Sequence, residues 1–188
     1  MVHIVIMAHG RQERLPELGS LPKHQLSLGH ETILERTVRL AHEFSEGRLR
    51  RCAPAHRRTL SEPPCATLIE GMRAAAFEEP GPQLFLLGDV VWSRASLERV
   101  ITDKRDAPQF YGKNEPNLFT GKMYGELYAV RVDPAELLPH LGCASLWALK
   151  AALRAPMVLI ADWTDDIDTP EDLHERLPKL CEFVENDK

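Results

Sequence analysis

The chain has 188 residues, 44% hydrophobic and 27% charged, a composition expected of one globular domain large enough to bury a full core. Its formal net charge of -5 argues against a bulk nucleic-acid binder, and no window approaches the ~20 apolar residues of a membrane span. Cys52, Cys65, Cys143 and Cys181 form no C-x-x-C pair, which argues against a zinc site and a secreted disulfide framework; with no basic segment leading into a long apolar run at the N-terminus, the cytoplasm is the expected location.

An apolar run at 2–7 predicts a buried strand, followed by a polar loop at 8–24. Ile33, Leu34, Val38, Leu40 and Ala41 predict a helix over 31–44. A weaker strand follows near 48–53, beside Arg48, Arg50, Arg51, Arg57 and Arg58, which read as a solvated basic surface. A helix over 64–77, a strand at 83–87 after Pro80-Gly81-Pro82, and a helix at 94–101 capped by Ser93 come next. Residues 102–126 sustain no period and read as a long functional loop, the alternative being a solvated surface loop. A strand at 127–132, helices at 134–139 and 143–154, a strand at 157–160 and a terminal helix over 170–184 complete the order. Alternating strands and helices predict a single α/β domain over 1–188 with a parallel or mostly parallel sheet covered on both faces.

Three stretches carry chemistry. Ala8-His9-Gly10-Arg11-Gln12-Glu13-Arg14-Leu15, with Pro22-Lys23 further on, brings backbone amides and cations to the end of the first strand, an arrangement suited to a polyphosphate. The alternative is an ordinary strand-to-helix turn with surface cations. Asp89 follows the buried 83–87 strand at the edge where open α/β sheets bind ligands. Near the end, Thr169 reads as an N-cap, Pro170 as the first helical residue and Asp172 as the third, so helix initiation accounts for that half of the motif. Asp165, Asp166 and Asp168 are not so explained. Three carboxylates in four positions repel one another unless a cation sits among them, and Mg²⁺ suits oxygen ligands and phosphate chemistry. Solvated loop acids are the alternative.

These pieces, in this order, resemble the nucleotidyltransferase superfamily with the GT-A-like fold, which includes sugar-phosphate and molybdenum-cofactor nucleotidylyltransferases. The resemblance takes in 2–28, Ala66-Thr67-Leu68-Ile69-Glu70-Gly71-Met72-Arg73, Gly88-Asp89-Val90 and Ile167-Asp168-Thr169-Pro170-Glu171-Asp172. It implies a Rossmann-like three-layer α/β/α sandwich with a mostly parallel mixed sheet. It further implies that Lys23 and Arg14 act on the triphosphate as catalytic cations, that Ala8, His9, Gly10, Arg11, Gln12, Thr67 and Asp89 line the nucleotide, and that Asp89 and Asp168 hold Mg²⁺. Gly125-Glu126-Leu127-Tyr128 resembles the acceptor-binding strand of the sugar-phosphate branch, and Lys113 in the 102–126 stretch is a cation suited to acceptor phosphate.

The expected reaction is attack by an acceptor phosphate oxygen, from a sugar or alditol phosphate, on the α-phosphorus of a nucleoside triphosphate, with release of pyrophosphate. Nucleic acid and membrane are not expected partners; self-association is left open. His9 stands where the family usually has a small residue, and Gln12 where it has a second glycine. These departures keep open a nucleotide-binding or regulatory protein without turnover. A glycosyltransferase of the same fold would want an Asp-x-Asp pair after the central strand, where Asp89 stands alone.

Overall fold

β1 (His3–Met7) and β2 (Gln83–Leu87) pair in parallel from His3↔Gln83 to Met7↔Leu87 and form one side of the central sheet. The computed structural model describes residues 3–8, 15–19, 21–45, 67–76, 80–116 and 123–187. The strand expected near 48–53 and the arginine cluster beside it lie outside the described residues.

Chain order continues with α1 (Ile33–Phe44) and α2 (Leu68–Ala75) before β2, then β3 (Val90–Val91), α3 (Arg94–Thr102), β4 (Gln109–Pro116) and β5 (Met123–Val132). After a 3-10 segment at Pro134–His140 come α4 (Leu146–Leu153), β6 (Met157–Leu159), β7 (Asp165–Asp166), α5 (Pro170–Glu175) and α6 (Leu177–Asn186). The main sheet has the order β1-β2-β5-β4-β6. β5 is antiparallel to both its neighbours, while β4 and β6 are parallel, so four of the five strands run one way.

Strand side chains alternate between faces, and the core divides accordingly. Ile4, Ile6, Leu84 and Leu86 pack with Leu40 and Ala41 of α1 and Leu97, Val100 and Ile101 of α3. Val5, Met7 and Phe85 pack on the other face with Ile69 and Met72 of α2 and Leu146 and Leu149 of α4. Burying each such large apolar side chain contributes about 1.5–3 kcal/mol. The result is the three-layer α/β/α sandwich expected from the sequence. A smaller cluster, including Leu28, Ile33, Val91, Ile167, Leu180 and Val184, fastens the β3–β7 ribbon between α1 and α6. No helix among the described residues is long and apolar enough to cross a membrane.

Local signals fix most helix starts. Thr32 and Thr67 each form a capping box, with Glu35 and Glu70, and move the starts of α1 and α2 to Ile33 and Leu68. Ser93 accepts from Ser96 N at the head of α3, as its position after β3 suggests. Thr169, Pro170 and Asp172 occupy the N-cap, N1 and N3 positions of α5. The single terminal helix read over 170–184 is instead two helices that meet at Arg176. Pro178 lacks an amide hydrogen and would clash with the carbonyl four residues before it; it is accommodated only because a new helix starts at Leu177.

The largest correction concerns 102–126. Residues 109–116 form β4, flanked by β5 and β6, and β5 begins at Met123 rather than 127. Gly112, Lys113, Asn114 and Pro116 are poor strand formers on their own; pairing on both sides overrides that preference. The pairing shifts register between Tyr111 and Gly112, and Gly112 has no side chain because a Cβ would lie 1.9 Å from Glu126 O.

β3 and β7 are too short to announce themselves by periodicity. Pairing Val90 with Asp166 and Val91 with Asp165, they join two segments far apart in sequence. The Asp162 carboxylate steadies this junction: it accepts from Ser93 Oγ, from Ser96 Oγ at 2.7 Å and from Thr164 N at 2.9 Å. Burial pushes the Asp162 carboxyl up, but the hydrogen bonds from Ser93, Ser96 and Thr164 outweigh it and hold it below the ordinary aspartate value. A carboxyl with a lowered folded-state pKa stabilises the fold above the unfolded value and loses that stabilisation as pH falls through the folded one. Asp162→Asn is therefore expected to cost about 1–3 kcal/mol at neutral pH, the scale of weakened charged hydrogen bonds. The wild type should approach the variant as pH drops below about 4, the unfolded aspartate range. Urea denaturation at pH 7 and pH 3 measures both; a stability gap that does not narrow at pH 3 would remove this role.

Candidate functional site

The ends of β1 and β2 touch. Gly88 N donates to Met7 O at 2.9 Å, and a Cβ on Gly88 would lie 3.0 Å from that oxygen and 3.1 Å from Ala8 Cα. A side chain here would press on that backbone, so glycine suits the approach, which sets Ala8 and Asp89 at one edge of the sheet. His9, Gly10, Arg11, Gln12 and Arg14 lie outside the described residues. The described chain returns with the buried Leu15, and Pro22 leads into a 3-10 turn that begins with Lys23.

Lys23 reaches across to the other acidic segment. Its ammonium donates to Asp168 Oδ1 and lies 4.0 Å from Asp89 Oδ2. The β3–β7 ribbon explains the convergence: β3 directly follows Asp89, and β7 directly precedes Ile167-Asp168. Asp172 then fixes the turn, accepting from Asp168 N at 3.1 Å and Thr169 N at 2.9 Å. Asp168 is thus held through its own backbone by the helix cap that follows it.

The structure divides the three unexplained acids. Asp165 turns inward, accepts from the Tyr128 hydroxyl at 3.1 Å and pairs with Arg176 at 3.4 Å. Arg176 also pairs with Asp172 at 2.9 Å, so Asp165 is internally compensated. Asp166 and Asp168 instead meet Glu126, their ligand oxygens all within 4.8 Å of one another. Glu126, read from the sequence as an acceptor contact, stands among the acids. It precedes Tyr128 by two along β5, and this spacing puts both on the face turned toward Asp165 and Asp166.

Electrostatics follow from this crowding. Burial, then the neighbouring Glu126, pushes Asp166 well above the ordinary aspartate value. Burial also raises Glu126, so the pair retains a proton more tightly than separated carboxyls would. Asp89 is raised by burial, with the Lys23 ammonium opposing. Among the described residues, Asp166 Oδ1 is buried without a hydrogen-bond donor. A set of oxygen ligands alone, one of them so placed, fits a hard divalent cation.

Lys113 lies directly across from Glu126 in the β4–β5 register. It is 5% exposed, and its ammonium has no hydrogen-bond partner among the described residues. Burial lowers its pKa, with Asp165 and Asp162 acting in the opposite sense. Thr67, expected at the nucleotide, has its hydroxyl engaged elsewhere: it accepts from Glu70 N and donates to Leu141 O at 2.8 Å. Among the other cations of 102–126, Lys104 and Arg105 are exposed and Arg105 pairs with Asp103, while Lys122 lies outside the described residues. Asp165's partnership with Arg176 was missed from the sequence, although the Asp172–Arg176 i,i+4 spacing was a readable sign that this arginine is anchored.

No family model and no curated protein matches the sequence. Solved structures do match along nearly the whole chain. HddC from Yersinia pseudotuberculosis, complexed with GMP-PN, is 15% identical with a TM-score of 0.64, covering 98% of this chain and 100% of its own. Rv0371c from Mycobacterium tuberculosis H37Rv is 20% identical, TM-score 0.62, over 96% and 97% of the two chains. The inositol-1-phosphate CTP transferase from T. maritima is 12% identical, TM-score 0.62, over 98% and 96%. The protein has the nucleotidyltransferase fold, a GT-A-like α/β sandwich.

Proposed function

We propose that the protein is a nucleotidyltransferase that moves a nucleoside monophosphate from a nucleoside triphosphate to a phosphorylated acceptor, a sugar or alditol phosphate, releasing pyrophosphate. The carrying observation is the meeting of Lys23 with Asp168 and Asp89 at the sheet edge where β1 and β2 end. Lys23 would neutralise charge on the triphosphate, with the 8–14 loop, including Gly10 and Arg14, lining the same phosphates. Such transfer depends on positioning and charge stabilisation rather than on a covalent nucleophile. Asp89 and Asp168, with Asp166 and Glu126 beside them, would hold Mg²⁺. Bound there, the ion would supply charge neutralisation to the phosphates. Lys113 and Glu126, facing each other across β4 and β5, would meet the acceptor.

His9 and Gln12 favour a second reading, a nucleotide-binding protein without turnover, since in the sequence they stand where the family usually has a small residue and a second glycine. A glycosyltransferase would want an Asp-x-Asp pair at this place, and here buried Val90 and Val91 follow Asp89 directly. Thermal shift with each of the four ribonucleoside triphosphates, with and without Mg²⁺, joined to a pyrophosphate-release assay over phosphorylated sugars, alditols and inositols, separates these readings. Stabilisation by one triphosphate and release with one acceptor are expected. Stabilisation without release across the panel supports the second reading, and no stabilisation by any triphosphate removes both.

A further inference from the structure

The sheet leaves one length of β5 open. Its pairing with β2 ends at Leu86↔Ala129, while its pairing with β4 runs on to Met123. Among the described residues, 123–128 therefore have no strand on their β2 side, and this stretch runs past the end of β2, which Gly88 and Asp89 follow. A bare strand edge offers backbone donors and acceptors to a polyol.

The two faces of this stretch flank the open edge. Glu126 lies on the face of Tyr128, and Gly125 on the face of Leu127, which packs with Leu146 and Leu149 of α4. There the indole of Trp147, in the first turn of α4, occupies the room a side chain would take. Its Nε1 donates to Gly125 O at 2.9 Å, and a Cβ on Gly125 would lie 3.1 Å from its Cζ2 and 3.7 Å from its Cη2. The ring nitrogen is thus satisfied by backbone, yet the residue is 39% exposed. What it turns outward is aromatic surface, held at a fixed place one residue from Glu126.

We propose that Trp147 decides the class of acceptor: a cyclic sugar or cyclitol phosphate, whose ring lies against the indole, in preference to an open-chain alditol phosphate. This narrows the nucleotidyltransferase reading above and rests on it. The face of an aromatic ring is electron-rich, and the C–H groups of a sugar or cyclitol ring present it with a flat, weakly positive surface. An open chain must give up torsional freedom to offer the same surface. The Lys150 ammonium lies 5.7 Å from the indole centroid. That is a weak contact on a flexible stem, and the acceptor ring can take its place. Glu126 would bond the acceptor's hydroxyls from the other face of the strand.

Steady-state transfer from the preferred triphosphate to two panels tests this. One panel is cyclic (glucose 1-phosphate, mannose 1-phosphate, inositol 1-phosphate) and the other open-chain (glycerol 3-phosphate, erythritol 4-phosphate, ribitol 5-phosphate). Wild type should prefer a cyclic acceptor by about tenfold or more in kcat/KM. Trp147→Leu should raise KM for that acceptor about tenfold, the scale of one aromatic contact, and leave open-chain acceptors within about twofold. Trp147→Met fills the same space without a ring and serves if the leucine variant fails to fold. Trp147→Phe loses the hydrogen bond to Gly125 but keeps an aromatic face, and should stay within about threefold of wild type. A phenylalanine variant as impaired as the leucine one, or KM values that rise alike in both panels, would make the indole a pin for β5 and overturn the proposal. An unchanged cyclic KM in the leucine variant, or a wild type that prefers an open-chain acceptor, also overturns it and leaves nucleotidyl transfer standing. No transfer to either panel from any triphosphate overturns the transfer reading and this inference together.

Discussion

Asp168→Asn is expected to lower nucleotidyl transfer by ~10²–10³-fold, the scale of losing one charged group from a phosphoryl-transfer site. Asparagine keeps the side-chain shape, and the backbone amide still donates to Asp172, so α5 should start as before. What disappears is a negative charge that stands among the acids proposed for the cation and pairs with Lys23. Steady-state rates against Mg²⁺ concentration, with the melting temperature beside them, check this. Asp165→Asn supplies the contrast. That residue faces Tyr128 and Arg176 rather than Lys23, so its loss should lower stability first. A Mg²⁺ response in Asp168→Asn indistinguishable from wild type would take this carboxylate out of the site.

The largest loss of stability should come from Gly112→Ala. The added Cβ would lie 1.9 Å from Glu126 O and 2.9 Å from Leu127 Cα. Both are backbone atoms of the paired strand and cannot rotate aside, so β4 and β5 must separate where the pairing changes register. A cost of at least about 3 kcal/mol is expected, at the upper end for overpacking. Because Lys113 and Glu126 follow from the same strands, any folded remainder should also lose acceptor binding. Urea denaturation gives the first quantity. A melting temperature within about 2 °C of wild type would contradict the close approach.

How much of this was readable in the sequence depended on the range of the interactions involved. The start of α5 was legible because Thr169, Pro170 and Asp172 act on backbone within one turn. β1 and β2 were legible because four consecutive buried positions in each leave a continuous apolar run. The convergence of Lys23, Asp89 and Asp168 followed from strand ends together with the family resemblance. β4 was not legible: Gly112 and the polar residues after it become a strand only through partners on both sides. Nor was the division among Asp165, Asp166 and Asp168, which depends on Tyr128 and Glu126 from β5. The break at Arg176 was legible in principle from Pro178, and the continuous apolar period across it hid the restart.

A sheet whose strands all run one way offers its binding edge only the residues that follow each strand. The reversed β5 presents its opening residues there instead, and the hairpin-like pair β4–β5 holds Lys113 and Glu126 opposite one another. Under the proposed activity, the groups that meet the acceptor come from β4 and β5, paired in the sheet between β2 and β6, while Lys23, Asp89 and Asp168 are set by the β1–β2 ends and the short β3–β7 ribbon. Because Glu126 also stands among the acids that would hold the cation, a change made on this strand pair to suit another acceptor would reach the metal as well.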